Sequence, residues 1–137
     1  MPQQAPDADP KCILVVDDDE VIRNFVSRLL TRDSYHVVVA GTGDEALRLS
    51  KDHQGTIHLL ISNIQMPGIT GVELGSRLSQ ERAELKVMLM SGFSAGMLVL
   101  NEGWHFLHKP FVPSQLLNIV RSVLALPSVP DLEERQH

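Results

Sequence analysis

Apolar residues arrive along this chain in two alternating rhythms. Cys12 to Val16 (CILVV) is an unbroken apolar run, β-branched in the main, as expected of a strand buried on both faces of a parallel sheet. Asp17, Asp18 and Asp19 end it. From Glu20 the period lengthens: Val21, Ile22, Phe25, Val26, Leu29 and Leu30 recur at spacings of three and four and form one apolar helix face, with Asp19 placed to cap it. The alternation then repeats. Tyr35 to Ala40 reads as a second strand, and Thr42 and Glu45, at capping-box spacing, open a helix carrying Ala46, Leu47, Leu49 and Ser50. Ile57 to Ser62 predicts a third strand, and Gly71 to Glu81 a third helix with Val72, Leu74 and Leu78 on its buried face. Lys86 to Met90 predicts a fourth strand, ending in Ser91-Gly92. The segment SAGMLVLNEG predicts only a weak fourth helix, because Gly96 inside it costs about 1 kcal/mol against Ala. Trp104 to Leu107 is a fifth strand. Pro113 opens a last helix with Leu116, Leu117, Val120, Val123 and Leu124 as its stripe, stopped by Pro127 and Pro130.

Five strands alternating with five helices through short links predict a single α/β domain, (βα)5 and doubly wound, with a five-stranded parallel sheet covered on both faces. Residues 1–10 lack periodicity and read as a disordered lead-in, 11–126 as the domain, and 127–137 as a charged tail. The length of 137 residues suits one domain. No apolar run approaches the ~20 residues of a membrane span, so no membrane association is expected. No basic stretch leads into an apolar one at the N-terminus, which makes cytoplasmic residence the expectation. A net charge of −5 argues against sequence-independent nucleic-acid binding. None of the six histidines pair at the spacing of a helical zinc site, and His105 and His108 should face opposite ways on an extended strand.

In a parallel sheet ligands bind at the carboxyl ends of the strands. Asp17 and Asp18 end the first strand, Asn63 the third, Ser91 the fourth, and Lys109 the fifth. Alone, each has an ordinary explanation as a cap, turn or loop residue. Together they suit phosphoryl chemistry on a hard cation: paired carboxylates for Mg²⁺, and a hydroxyl and an ammonium for phosphoryl oxygens. The set lacks a nucleophile.

VVDDDEVIR, LLISNIQMPGITG, VMLMSG and FLHKPF, in that order, resemble the signature stretches of response-regulator receiver domains, the CheY-like superfamily of two-component signalling. The resemblance covers about residues 11–126 and implies the flavodoxin-like strand order 2-1-3-4-5 and a signalling domain that is not an enzyme. It implies that Asp17 and Asp18 hold Mg²⁺ with help from the Gln65 backbone carbonyl, and that Ser91 and Lys109 contact the phosphoryl group. Phe106 takes the position of the aromatic switch. It also implies a histidine kinase or phosphotransfer protein as partner.

Asn63 departs from the pattern, because it stands where the family has the phospho-accepting aspartate. An amide is a far weaker nucleophile than a carboxylate, so phosphorylation at this position is not expected. Losing the carboxylate relieves about 3 to 4 kcal/mol of repulsion per close pair at an effective dielectric of about 20. It also removes one anionic ligand at position 63, so Mg²⁺ binding should be weak. An engineered receiver, a natural pseudo-receiver acting as an interaction module, and acceptance by Ser62 instead would each account for the asparagine. Strand alternation turns Ser62 away from the rim. A haloacid-dehalogenase-type phosphatase would use Asp17, Asp19, Ser91 and Lys109, but its last acidic motif has no counterpart after Lys109. Met97, Leu98, Leu100, Trp104 and Phe106 either form a homodimer face along the fourth helix, fifth strand and fifth helix or pack inward.

Overall fold

The structure, a computed structural model, describes residues 10–92 and 103–126. Five strands are present: β1 (Cys12–Val16), β2 (His36–Ala40), β3 (Leu59–Asn63), β4 (Lys86–Ser91) and β5 (His105–His108). The described helices are α1 (Glu20–Arg32), α2 (Gly43–Asp52), α3 (Gly71–Glu81) and α4 (Pro113–Ala125). The sheet is parallel throughout, in the order β2-β1-β3-β4-β5, as the flavodoxin-like reading requires. The weak fourth helix expected in SAGMLVLNEG lies almost wholly outside the described residues.

Alternation along the central strands divides the core in two. Leu14 and Val16 of β1, Leu60 of β3 and Leu89 of β4 pack with Leu74 and Leu78 of α3 and Ala46 of α2. Ile13, Val15, Leu59, Ile61, Met88 and Met90 face the other way and meet Val26 and Leu30 of α1 and Leu116, Val120 and Val123 of α4. β1 is buried at every position, which explains its unbroken apolar run, whereas β2 at the sheet edge is exposed or half-buried along most of its length.

The helix starts follow the sequence closely. Asp19 accepts hydrogen bonds from Val21 N at 2.9 Å and Ile22 N at 3.4 Å. Thr42 Oγ1 accepts from Glu45 N at 3.0 Å, but the return bond of the expected box is displaced: Glu45 Oε1 accepts from Gly41 N at 2.8 Å. The apolar face of α1 is wider than what it buries. Val26 and Leu30 are inside, while Val21 is 74% and Phe25 38% exposed. Strands three and five also sit one or two residues later than expected, so that Asn63 and His108 join the ladder.

Trp104 packs inward. A Cβ on Gly75 of α3 would lie 2.7 Å from the Trp104 ring, and both Trp104 and Phe106 lean on the α2–α3 half of the core. Both residues are thus half-buried against the core, and the other members of that face, Met97, Leu98 and Leu100, lie outside the described residues.

At the amino ends of the strands His58 Nδ1 accepts a hydrogen bond from Cys12 N at 2.9 Å, a role open only to an unprotonated nitrogen. Burial lowers the His58 pKa, and the charges of Lys11 and Lys86 push the same way. The folded protein thus binds this proton less readily than the unfolded chain. The associated stability is complete above the ordinary value of 6.5 and is lost as pH falls through the lower folded value. His58→Asn keeps an acceptor that does not titrate. Urea midpoints measured across this window should decline less steeply for His58→Asn than for the parent; equal slopes would remove His58 from the acid response.

Candidate functional site

Four of the five strands, all but the edge strand β2, bring polar groups to the carboxyl rim. Asp17, just after β1, is fully buried and fully used. Its Oδ1 accepts from Asp19 N at 2.9 Å and its Oδ2 from Lys109 Nζ at 3.0 Å, an ion pair whose lysine side chain is only 20% exposed. Removing either partner would leave a shielded charge uncompensated, a change that costs about 3 to 5 kcal/mol in buried pairs. Asp18 faces solvent and turns Oδ1 toward Asn63.

Asn63 closes β3 and is half-buried. Its Nδ2 donates to Gln65 O at 2.8 Å and to Asp18 Oδ1 at 3.3 Å, and its Oδ1 accepts from Lys109 Nζ at 3.2 Å. Lysine can only donate, so Lys109 fixes the amide oxygen on its own side and sends the NH₂ toward Asp18 and Gln65. The Met-Pro-Gly loop after Asn63 turns through Gly68 at φ 79°, a left-handed conformation that glycine adopts without strain. It returns through a bond from Gly71 N to Ile64 O at 2.8 Å. Gly71, the first residue of α3, thereby seats the helix directly on the backbone of Asn63.

Ser91 is buried at the end of β4. Its carbonyl accepts from Lys109 N at 2.9 Å, which joins β4 to the lysine-bearing loop. Phe106 lies two residues before His108 on the same side of β5, with the two rings edge to face at 4.9 Å. Asp17, Asp18, Asn63, the Gln65 carbonyl and Lys109 are thus linked by direct hydrogen bonds, and Ser91 adjoins them through the backbone. Ser62 stands apart: it is fully buried and donates to Asn63 O at 2.9 Å.

Sequence reasoning missed Arg23, whose Nη1 donates to Asp17 O at 2.8 Å and ties α1 to the acidic turn. Its position four residues after the N-cap Asp19, on the turn of α1 next to the acids, was the available signal.

Oxygen donors of the kind Mg²⁺ takes are present in Asp17, Asp18 and the Gln65 carbonyl. The amide conflicts with that use, because its N–H groups already hold Asp18 Oδ1 and Gln65 O. Turning the amide to offer its oxygen there would point NH₂ at the Lys109 ammonium. A carboxylate could accept on both sides at once, and an amide can accept on only one.

The family model for the response regulator receiver domain matches residues 13–121. The two-component response regulator ORR3 of Oryza sativa subsp. indica is 36% identical over 126 residues, a match covering 87% of this chain and 94% of the rice protein. The putative two-component response regulator ARR21 of Arabidopsis thaliana is 31% identical over 121 residues, covering 82% of this chain. The chain spans only 19%, 53% and 30% of the lengths of the first three curated relatives it matches. Among solved structures, the receiver domain of the hybrid histidine kinase CckA superposes with a TM-score of 0.74 at 35% identity, covering 82% of this chain and 98% of that one. The response regulator TrrA of Thermotoga maritima, in complex with Mg²⁺-BeF, superposes with a TM-score of 0.73 at 29% identity and the same coverage. The parallel sheet in this order, the polar rim it assembles and these matches together show that the chain belongs to the response-regulator receiver domains.

Proposed function

We propose that this receiver domain works in a two-component phosphorelay without being phosphorylated at position 63, as a cytoplasmic signalling module and not an enzyme. Its proposed partner is a histidine kinase or phosphotransfer protein, with no nucleic acid or membrane involved. The observation that carries the reading is the Asn63 amide, which satisfies Asp18, Gln65 and Lys109 together. Its two N–H groups occupy the oxygens on which a cation would have to draw.

Bound Mg²⁺ would offset charge on a phosphoryl group held at this rim. Asp17, Asp18 and the Gln65 carbonyl would hold it, and Lys109 would face the phosphoryl oxygens. In this chain the amide competes for two of those donors, so affinity for Mg²⁺ should be low.

A protein partner fits the surroundings of the rim. Val21 and Val112 are exposed, and Phe25 meets Phe111 at a ring separation of 6.1 Å. Ile22, Phe25, Lys109, Pro110 and Phe111 border a cavity of about 440 Å³ beside the site. Apolar side chains exposed around a polar centre are a usual mark of protein contact.

Magnesium titrations followed by amide NMR test the reading. Asn63→Asp should bind Mg²⁺ at least about tenfold more tightly than the parent, since one more anionic ligand is offered. Lys109→Met in the parent should also tighten binding, because it frees the amide to turn. Equal affinity in the parent and Asn63→Asp would defeat the proposal.

A further inference from the structure

The opposite edge of the sheet carries a second concentration of chemistry that the receiver site does not use. Lys11, Cys12, His36, His53, Thr56 and His58 line a cavity of about 450 Å³, within the size range of small-molecule sites. The topology gathers them. Lys11 leads into β1 at Cys12, β2 begins at His36, His53 caps the end of α2, and His58 immediately precedes β3.

Among the described residues the lining offers three imidazoles, an ammonium, a thiol and a hydroxyl, and no carboxylate. Behind it lies Arg82, which follows α3. Its guanidinium donates to Ser50 O at 2.8 Å and to His53 O and Gly55 O at 3.0 Å, fixing the loop that forms one wall. Arg82 is close enough to act electrostatically on the Cys12 thiol, and Lys86 of β4 acts likewise on His58. Asp52, next to His53 in the sequence, is exposed at the end of α2 and is not among the described lining residues.

One of these rings is set as a donor. His58 Nδ1 is taken by Cys12 N, so the proton of the neutral ring sits on Nε2. The His36 and His53 rings lie nearly parallel with centroids 6.2 Å apart. His53 Nε2 folds over Gly55, 3.3 Å from where a Cβ on that glycine would stand. Both rings share one lining with Lys11, so an anion there would meet several nitrogens at once.

A metal ion suits the pocket poorly. Among the described residues no group of three or more His, Cys, Asp or Glu is placed to share one. Lys11 and Arg82 oppose a cation, and burial keeps the Cys12 thiol protonated.

We propose that this pocket binds a small oxyanion of the phosphate class, either phosphate itself or the phosphate group of a small metabolite. The full chain would be titrated with inorganic phosphate at about pH 6, with chloride holding ionic strength constant and amide NMR as readout. Saturable shifts at Lys11, Cys12, Gly55, Thr56 and His58 are expected. The double variant Lys11→Gln, His53→Gln should keep the folded spectrum and weaken phosphate binding by about tenfold or more. A parallel titration with a glycerol phosphate separates the sources: tighter binding than inorganic phosphate assigns an ester, and equal binding assigns the bare anion. Chloride reproducing the shifts, the double variant binding phosphate as well as the parent, or Zn²⁺ binding where phosphate does not would each overturn the proposal.

Discussion

Incubated with Mg²⁺ and acetyl phosphate, this protein should keep its mass, whereas Asn63→Asp should gain one labile phosphoryl group. In the variant a carboxylate oxygen attacks phosphorus, a bond forms from that oxygen to phosphorus, the bond from phosphorus to the acetyl oxygen breaks, and acetate leaves. The groups that would assist are already placed. Lys109 Nζ lies 3.2 Å from Asn63 Oδ1 and 3.0 Å from Asp17 Oδ2. The amide keeps the geometry and lacks the anionic oxygen, so the parent should fail at the chemical step itself. Asn63→Asp should in turn lose stability without Mg²⁺. It replaces a 3.3 Å donor contact to Asp18 with a meeting of two carboxylates, worth about 4 kcal/mol of repulsion at an effective dielectric of about 20. Mg²⁺ should restore much of that loss. Intact mass spectrometry reads the first result and urea unfolding the second. Ser62→Ala is the companion control, because Ser62 is buried and committed to Asn63 O. An adduct on the parent protein would show that this site accepts phosphoryl groups by another route.

Much of this was legible in the residues. The period change after Asp19, the strand-end polar residues and the glycine that opens α3 were enough to place the rim, because a parallel sheet puts the carboxyl ends of all its strands on one edge. Less legible was whatever depends on depth. The apolar stripe of α1 did not reveal that Val21 and Phe25 stay exposed, since periodicity gives a face and not the width that a neighbour covers. Periodicity did not show that the Trp104 ring lies over Gly75. Side-chain reach across tertiary distance was also hidden: nothing in the spacing of Asp18, Asn63 and Gln65 says that one amide would bond both oxygens. The histidines followed the same rule in reverse. They fail every helical spacing test, and it is the topology that brings His36, His53 and His58 to one cavity.

Gly71→Ala should be the most damaging Gly→Ala change among the described glycines. A Cβ at Gly71 would fall 2.2 Å from Asn63 O and 3.0 Å from Ile64 Cα, both backbone atoms that cannot rotate away. Either α3 retreats from the sheet or the end of β3 moves. Both break the bond from Gly71 N to Ile64 O and loosen the packing of Leu74 and Leu78. An expected loss of about 2 to 4 kcal/mol follows from overpacking combined with a lost buried hydrogen bond. Gly92→Ala is the matched control, because among the described residues nothing lies within 4 Å of its Cβ position and its backbone is not in the left-handed region. Gly68→Ala should fall between them, with open space around it but a φ of 79° that costs about 1 kcal/mol for any residue with a Cβ. Urea unfolding of the three variants orders them directly, and a Gly71→Ala midpoint equal to that of Gly92→Ala would refute the close-approach account. The same methyl reaches the chemistry. In an Asn63→Asp background, Gly71→Ala should slow phosphoryl uptake even where the protein remains folded, because the backbone that Gly71 touches is that of the acceptor residue.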